Sequence, residues 1–553
     1  TVSIKGSFDA KNENNLSRTK TSPQWLATGR NEAGELEFNQ TKIGEENLTY
    51  KQTNKGYRSV YFEAVANWAR TFGKHDLSAM FLFQQSQKNY VGESANNSEK
   101  ALPYRHQGIA GRITYNYDNR YFVEGNFGYN GSENFSPNHR FGFFPSIAVG
   151  YVVSNEKFFA PIRDVVSMVK LKASYGLVGN DQIGGDRRFI YNETVIGGGK
   201  YYFGTTPSQY TSVRLGEFPN PNVGWEKAKK LNLGADLSFF NQLNISVDYF
   251  KENREGIFLQ RKSIPMYVGL STKPWVNIGK MRNSGIDASL EYHQPLGKDL
   301  HLTVRGNFTY ARNRIMDQDE PDYAYTYMNH SGQMQWQKFG LVAAGLFQDQ
   351  EDIDSWAKQS FGEVKPGDIK YLDLNGDGIV DNYDTKPIGY SDIPEIVYGF
   401  GFSLQWKAFD LSAFFQGVAH VSFSTLTDQT QAFVGRNLKE SSVFADLYGN
   451  TWTPENPGAK YPRMTTGAID NNNQLSTFWM ANGRYLRLKN LELGYTLPKR
   501  IANKIAMQSL RVYLSGVNLF TFSPFKLWDP DLQTGATNYP NNRIINLGLT
   551  IGF

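Results

Sequence analysis

The sequence predicts an all-β protein: a transmembrane antiparallel β-barrel to which this chain contributes about 16 strands. Three observations carry the expectation. In the stretch Arg543–Phe553, Ile545, Leu547, Leu549, Ile551 and Phe553 share one phase, and Asn546, Gly548, Thr550 and Gly552 share the other. About ten residues of such alternation cross a bilayer as a tilted strand, so the first set is expected to face lipid and the second the lumen. The same period of two recurs in pairs of segments joined by short turns. The composition is polar on average, with a mean hydropathy of −0.50, yet rich in aromatics, with 32 Tyr, 38 Phe and 10 Trp. A barrel suits that mixture, because only alternate residues meet lipid and aromatic girdles sit at both interfaces.

Along the chain, Val2, Ile4 and Gly6 already alternate, so a first strand is expected there. With neither an initiating Met nor a signal peptide before it, a further upstream segment is expected to pair with that strand. An open edge in hydrocarbon would leave backbone groups unpaired at several kcal/mol each. Phe62 to Phe83 reads as a hairpin around Gly73 to Asp76. Ile109, Ile113, Tyr115 and Tyr117 lead through Asp118 and Asn119 into Tyr121, Val123, Phe127 and Tyr129, a second hairpin. Leu231 to Phe239 and Leu243 to Tyr249 alternate on either side of Asn241 and Gln242. Ile286 to Tyr292 and Leu302 to Tyr310 flank Gly297 to Asp299, and Ile396 to Val418 turns around Lys407. Between these tight turns lie long connections near 180–226, 255–280, 315–395, 421–474 and 520–542, which are expected to be extracellular.

Other classes fit less well. The longest apolar run, about Gly340 to Phe347, is far short of the roughly 18 to 20 residues of a spanning helix. A propeller would repeat every 40 to 50 residues or so, and no such repeat is present. A net charge of +5 over 553 residues makes no case for nucleic acid, and zero cysteines fits passage through an oxidising compartment without disulfides.

One local motif carries chemistry. Asp373, Asn375, Asp377, the Ile379 carbonyl and Asp384 place oxygens around Gly376 at the spacing of a calcium loop, with Asp where the longer Glu usually closes the site. The flanks, Asp368 to Tyr371 and Pro387 to Gly389, read as strand and turn, so a structural calcium site without EF-hand helices is expected. The alternative is a metal-free turn held by Asx hydrogen bonds. Tyr201 and Tyr202 with Phe203, and Tyr323, Tyr325, Tyr327 and Trp336, fall in long loops, where aromatics stack on substrate or pack the loops together. Catalytic signatures are missing. Gly197 to Lys200 lacks the first Gly and the Ser/Thr of a phosphate loop and reads as a glycine turn. The 7 His form no helical His-x-x-x-His pair, His293 and His301 sit where lumen-facing polar residues belong, and Glu226, Asp236, Asp248 and Glu291 suit solvated lumen walls. No enzyme is expected.

Arg140 to Gly150, Leu171 to Asn180, Asn220 to Lys227, Asn277 to Gly285, the Asp-rich loop after Gly367, Thr451 to Arg463 and Arg484 to Pro498 resemble, in order, the SusC-like TonB-dependent outer-membrane transporters of Bacteroidota. The resemblance implies a 22-stranded barrel of which this chain is the C-terminal two-thirds, while the plug domain and the TonB-contacting segment have no counterpart here. It further implies import of oligosaccharides or oligopeptides delivered by a SusD-like surface lipoprotein and driven through TonB. This fragment alone is expected not to transport. A docking subunit of a larger envelope assembly, or a plain porin, is the rival reading.

Overall fold

The computed structural model describes residues 1–95, 98–184, 187–270, 272–427, 430, 443–465, 467–535 and 538–553. Among them, sixteen strands join into one sheet in strict chain order. They are β1 Val2–Thr19, β2 Thr49–Phe72, β3 His75–Gly92, β4 Tyr104–Tyr117, β5 Tyr121–Ser132, β6 Phe141–Val152, β7 Val166–Asn180 and β8 Glu226–Phe239, then β9 Leu243–Gln260, β10 Trp275–Pro295, β11 Leu300–Asp317, β12 Ile396–Trp406, β13 Phe409–Ala419, β14 Tyr485–Thr496, β15 Ser509–Phe522 and β16 Ile544–Gly552. This is the antiparallel meander, and the strand number, that the alternation predicts. β1 and β16 stand at the two ends of the order.

In such a meander, successive connections fall at alternate ends of the strands. The turns 73–74, 118–120, 240–242, 296–299 and 407–408 therefore share one end, and 20–48, 181–225, 261–274, 318–395, 420–484 and 523–543 share the other. The tight turns have a local cause. Asp118 and Asn119 adopt φ of 55° and 53°, the left-handed pair a two-residue hairpin needs, and Asn and Asp tolerate it better than other side chains. Phe240 and Asn241 repeat the pair at 52° and 54°.

The chain divides into two compact units. The first comprises Thr1–Tyr115, Glu124–Pro145 and Gly179–Trp225. Here β1 pairs with β2 without a break from Val2 opposite Ala66 to Thr19 opposite Thr49. Between them, Gln24–Arg30 and Leu36–Lys42 form a small exposed hairpin. Trp225 packs on Phe144 and on the fully buried Phe135, and its indole N–H donates to the Arg140 carbonyl at 3.1 Å. Val195–Phe203 and Ser208–Leu215 make another hairpin, and Gly197 to Lys200 is a bulge within it. The expected glycine turn is corrected accordingly: glycine serves here because an unpaired extra residue must fit into a strand.

The second unit comprises Asn116–Val123, Ser146–Val178 and Glu226–Phe553. Its strands are two-faced. Leu302, Leu404, Leu411, Leu493, Leu514 and Leu547 stand directly opposite one another across six neighbouring strands. The other phase carries charge: Arg511 donates to Asp410 and Glu492, and Lys172 to Asp236 at 2.7 Å. Near the turn at Lys407, Trp406, Phe409 and Tyr495 stack in series, as an interfacial girdle does.

Candidate functional site

The connections 318–395 and 420–484 fold together over a core of their own. Leu341, Ile369, Tyr371, Val380, Leu447 and Trp479 are buried against one another, although most of the described residues in each segment are irregular. Irregular backbone can be buried only if its polar groups are answered, and buried side chains answer them here. The Asp368 carboxylate, fully buried, pairs with Arg463 and accepts from its Nη2 at 3.0 Å, from the Asn472 amide at 2.9 Å and from the Lys365 backbone N–H at 2.8 Å. The Asn472 amide oxygen accepts from Ile369, the Asn471 amide donates to the Ile369 carbonyl, and the Tyr371 hydroxyl donates to the Asn471 carbonyl. Burial pushes the Tyr371 phenol far above its ordinary range, so it stays a donor.

The Asp373 loop sits on this core. Asp373 accepts the N–H of Gly376 at 2.7 Å and of Gly378 at 2.8 Å, Asn375 that of Asp377 at 3.0 Å, and Asp377 that of Ile379 at 2.9 Å. Gly376 and Gly378, at φ of 78° and 87°, allow the tight winding that aims these N–H groups inward. Asp384 is fully buried and accepts from Leu374, Asn375 and Asp381. The loop thus closes on Asx hydrogen bonds. Among the described residues, no three His, Cys, Asp or Glu side chains converge on a metal-binding point. The donor set still suits a hard cation in kind, since the Asp373 and Asp377 oxygens each retain a lone pair beyond the one donor they accept, whereas Asp384 Oδ1 already accepts two N–H groups.

The aromatic residues divide. In the second unit, Tyr325 and Tyr327 stack with centroids 5.4 Å apart and planes within 5°. Tyr383, which the sequence pattern did not single out, meets Tyr325 edge-on, and its carbonyl accepts the Tyr327 hydroxyl at 2.7 Å. This tier is therefore fastened to the Asp373 loop. Tyr323 packs on His330, whose ring lies 4.0 Å from Phe339 and whose burial depresses its pKa. Trp336 is 62% exposed, at φ 65°. Tyr201, Tyr202 and Phe203 belong to the first unit, on the Val195–Phe203 strand, and all three rings are exposed. Four carboxylates on the strands face cations: Glu226 pairs with Arg254, Asp236 and Asp248 share Lys172, and Glu291 pairs with Arg305.

Apolar-faced strands of bilayer-crossing length in an unbroken meander define a transmembrane β-barrel protein, and among the described residues no helix is long and apolar enough to cross. The family model described as TonB dependent receptor-like, beta-barrel, matches residues 3–519, and the chain belongs to that family of outer-membrane β-barrels. The TonB-dependent receptor P3 of Formosa agariphila is 28% identical over 97% of this chain and 55% of its own length. TonB-dependent receptor SusC of Bacteroides thetaiotaomicron is 27% identical over 80% of this chain and 43% of its own. The chain thus spans about half the length of the curated relatives it matches. Among solved structures, that of the RagAB peptide transporter superposes with a TM-score of 0.72 over the whole of this chain and 60% of its own, at 20% identity, a likeness of fold.

Proposed function

We propose that this chain is the barrel portion of a SusC-like, TonB-dependent importer that takes up oligopeptides or oligosaccharides from a SusD-like lipoprotein. Its main support is the family match across residues 3–519, joined by similarity to a protein named SusC and a fold shared with a peptide transporter. The loop module adds physical support. A packed, hydrogen-bonded body at the long-loop end presents the Tyr325–Tyr327 tier and Trp336, rigid surfaces on which sugar rings or peptide side chains can stack. The unpaired outer edges of β1 and β16 are, in this reading, covered by strands from a further segment of the same transporter, which also brings the plug and the TonB-contacting segment. Calcium held by Asp373, Asn375, Asp377, the Ile379 carbonyl and Asp384 would stiffen the loop beneath the tier. The order of donors around Gly376 supports it.

The test is uptake by cells producing the full-length protein, with labelled oligopeptides and oligosaccharides, with and without TonB. Saturable, TonB-requiring uptake of one class is expected, reduced at least tenfold by Tyr325→Ala with Tyr327→Ala. Correct insertion without any such uptake would favour a docking subunit instead. For calcium, millimolar metal should protect the 373–384 loop from proteolysis in wild type and not in Asp373→Ala. Equal cleavage rates with calcium and with chelator would remove the ion from the proposal.

A further inference from the structure

We propose that the first unit carries a binding site for a phosphorylated glycolipid of the outer leaflet, built on the lipid-facing side of β2–β6. The site is a cavity of about 560 Å³ among Val60, Phe62, Arg105, Arg140 and Phe141, with Gln85, Gln87 and Gln107 on its wall. Strand register shows which side this is. Val60 and Phe62 stand opposite Phe8 and Gly6 on β1 and opposite Gln87 and Gln85 on β3. The same phase continues through Ala66, opposite Val2 and Phe81, to Trp68 and Phe72 near the short turn. The large apolar side chains of this phase, Val2, Phe8, Trp68, Phe72 and Phe81, are exposed, as lipid-facing residues are.

Height fixes the layer. From Phe72 up to Val60 the strand climbs roughly 30 Å at its usual rise and tilt, against an apolar band about 25 Å tall. The cavity therefore opens just above the hydrocarbon, on the long-loop side, at the level of the outer-leaflet headgroups. Stacked aromatics mark the same level: Tyr129 on Phe141 at 5.1 Å and Phe127 beside Phe143 at 6.0 Å.

The chemistry then selects the ligand. Arg140 has its Nε shut off from solvent with no hydrogen-bond partner, a cationic donor that the described protein groups leave unanswered. Arg105 reaches into the same space, held by Gln87 at 3.1 Å and loosely by Glu133 at 3.4 Å. His106 at the border pairs weakly with Asp181 at 3.6 Å. Two guanidinium groups beside one cavity suit a phosphate, which accepts forked N–H donors from Arg. Three Gln amides, each both donor and acceptor, suit sugar hydroxyls. Phe62 lies level with Gln85, and from it the exposed apolar phase runs down through Phe81, Trp68 and Phe72, offering acyl chains a path into the hydrocarbon. Cations and amides together at the top of an apolar runway match a lipid whose headgroup is a phosphorylated sugar.

The experiment uses the full-length protein in detergent micelles, with native mass spectrometry reading retained lipid A. Wild type should hold it, and dephosphorylated lipid A at least tenfold less. Arg105→Gln with Arg140→Gln should lower retention of the phosphorylated form to the same level while the heat-modifiable gel mobility of the barrel stays normal. Equal binding of the two lipid A forms by wild type would overturn the proposal, and so would equal retention by the folded variant. Displacement by millimolar inorganic phosphate would make the site one for a free anion, which also overturns it. Should the variant fail to fold, the comparison of the two lipid forms on wild type decides alone.

Discussion

Asp319, just beyond the end of β11, ties two connections together, mainly by hydrogen bonds. Its carboxylate accepts the backbone N–H groups of Lys262 at 2.7 Å and Ser263 at 3.1 Å, the Ser263 hydroxyl at 2.9 Å and, more loosely, Arg261. Burial opposes its ionisation, but the Ser263 backbone and hydroxyl and then Lys262 outweigh it and bring the pKa down to about 2. A depressed carboxylate adds stability above its unfolded pKa and loses it as pH falls through the folded value. Acidification from pH 4 toward 2 should therefore release 261–274 from 318–395, read as faster hydrogen exchange in both. Asp319→Ala should do the same at neutral pH, at a cost of about 3 kcal/mol in local stability; unchanged exchange there would refute the tie. Asp446, held down by the Lys460 ammonium and the Tyr461 hydroxyl, should likewise loosen once acid protonates it below its ordinary carboxylate range. Such ties are not legible in sequence, because Asp319 and Ser263 are brought together by the β9–β11 register, whereas the oxygen spacing of Asp373 to Asp384 is local and could be read directly.

Among the elements, the hairpins were the most legible part. Period-two alternation and a short Asn- or Gly-bearing turn are both local signals, and Leu231–Phe239 with Leu243–Tyr249 form a continuous register across residues 240–242. Strand length was less so: β9 reaches Gln260 and β10 begins at Trp275, because the ribbon continues through a register shift at Gly256, φ 69°, where the period of two is broken, into Ile257–Gln260 paired with residues 275–279. The leucine row gives the sharpest test of facing. Leu547 is 79% exposed and pairs with Leu514, while Asn546 and Gly548 occupy the other phase. Leu514→Arg or Leu549→Arg should cost roughly 2 to 4 kcal/mol near mid-membrane and lower the yield of heat-modifiable barrel. Ser515→Arg, on the charged phase beside Asn546, should be tolerated. The reverse ranking would mean that the two faces have been exchanged. Because the chain has no cysteine, Val512→Cys with Leu549→Cys should form a disulfide only if their directly opposed register is right.

At the scale of the molecule, the sheet order and the loop module bear on different questions, and only the first was foreseeable. A meander of sixteen strands follows from repeated alternation; a shared core between 318–395 and 420–484 does not, since Asp368 and Arg463 lie far apart in sequence with ordinary neighbours. Arg463→Ala should strand the fully buried Asp368 carboxylate, costing about 3 to 5 kcal/mol, and expose both connections to protease together while the strands stay protected. Cleavage confined to one connection would show that the two fold independently. The sheet itself makes the larger demand. β1 is hydrogen-bonded along eighteen residues to β2, and β16 along nine to β15, and each stands last in the order. Every N–H and C=O on an outer edge lying within hydrocarbon costs several kcal/mol if left unpaired, far more than the stability of a typical domain can absorb. Residues 1–553 produced alone should therefore aggregate or fail to insert, and should not run as a heat-modifiable barrel, whereas the same residues within the full-length protein should. A stable, heat-modifiable product from residues 1–553 alone would mean that β1 and β16 satisfy one another, leaving a smaller barrel with no place for additional strands.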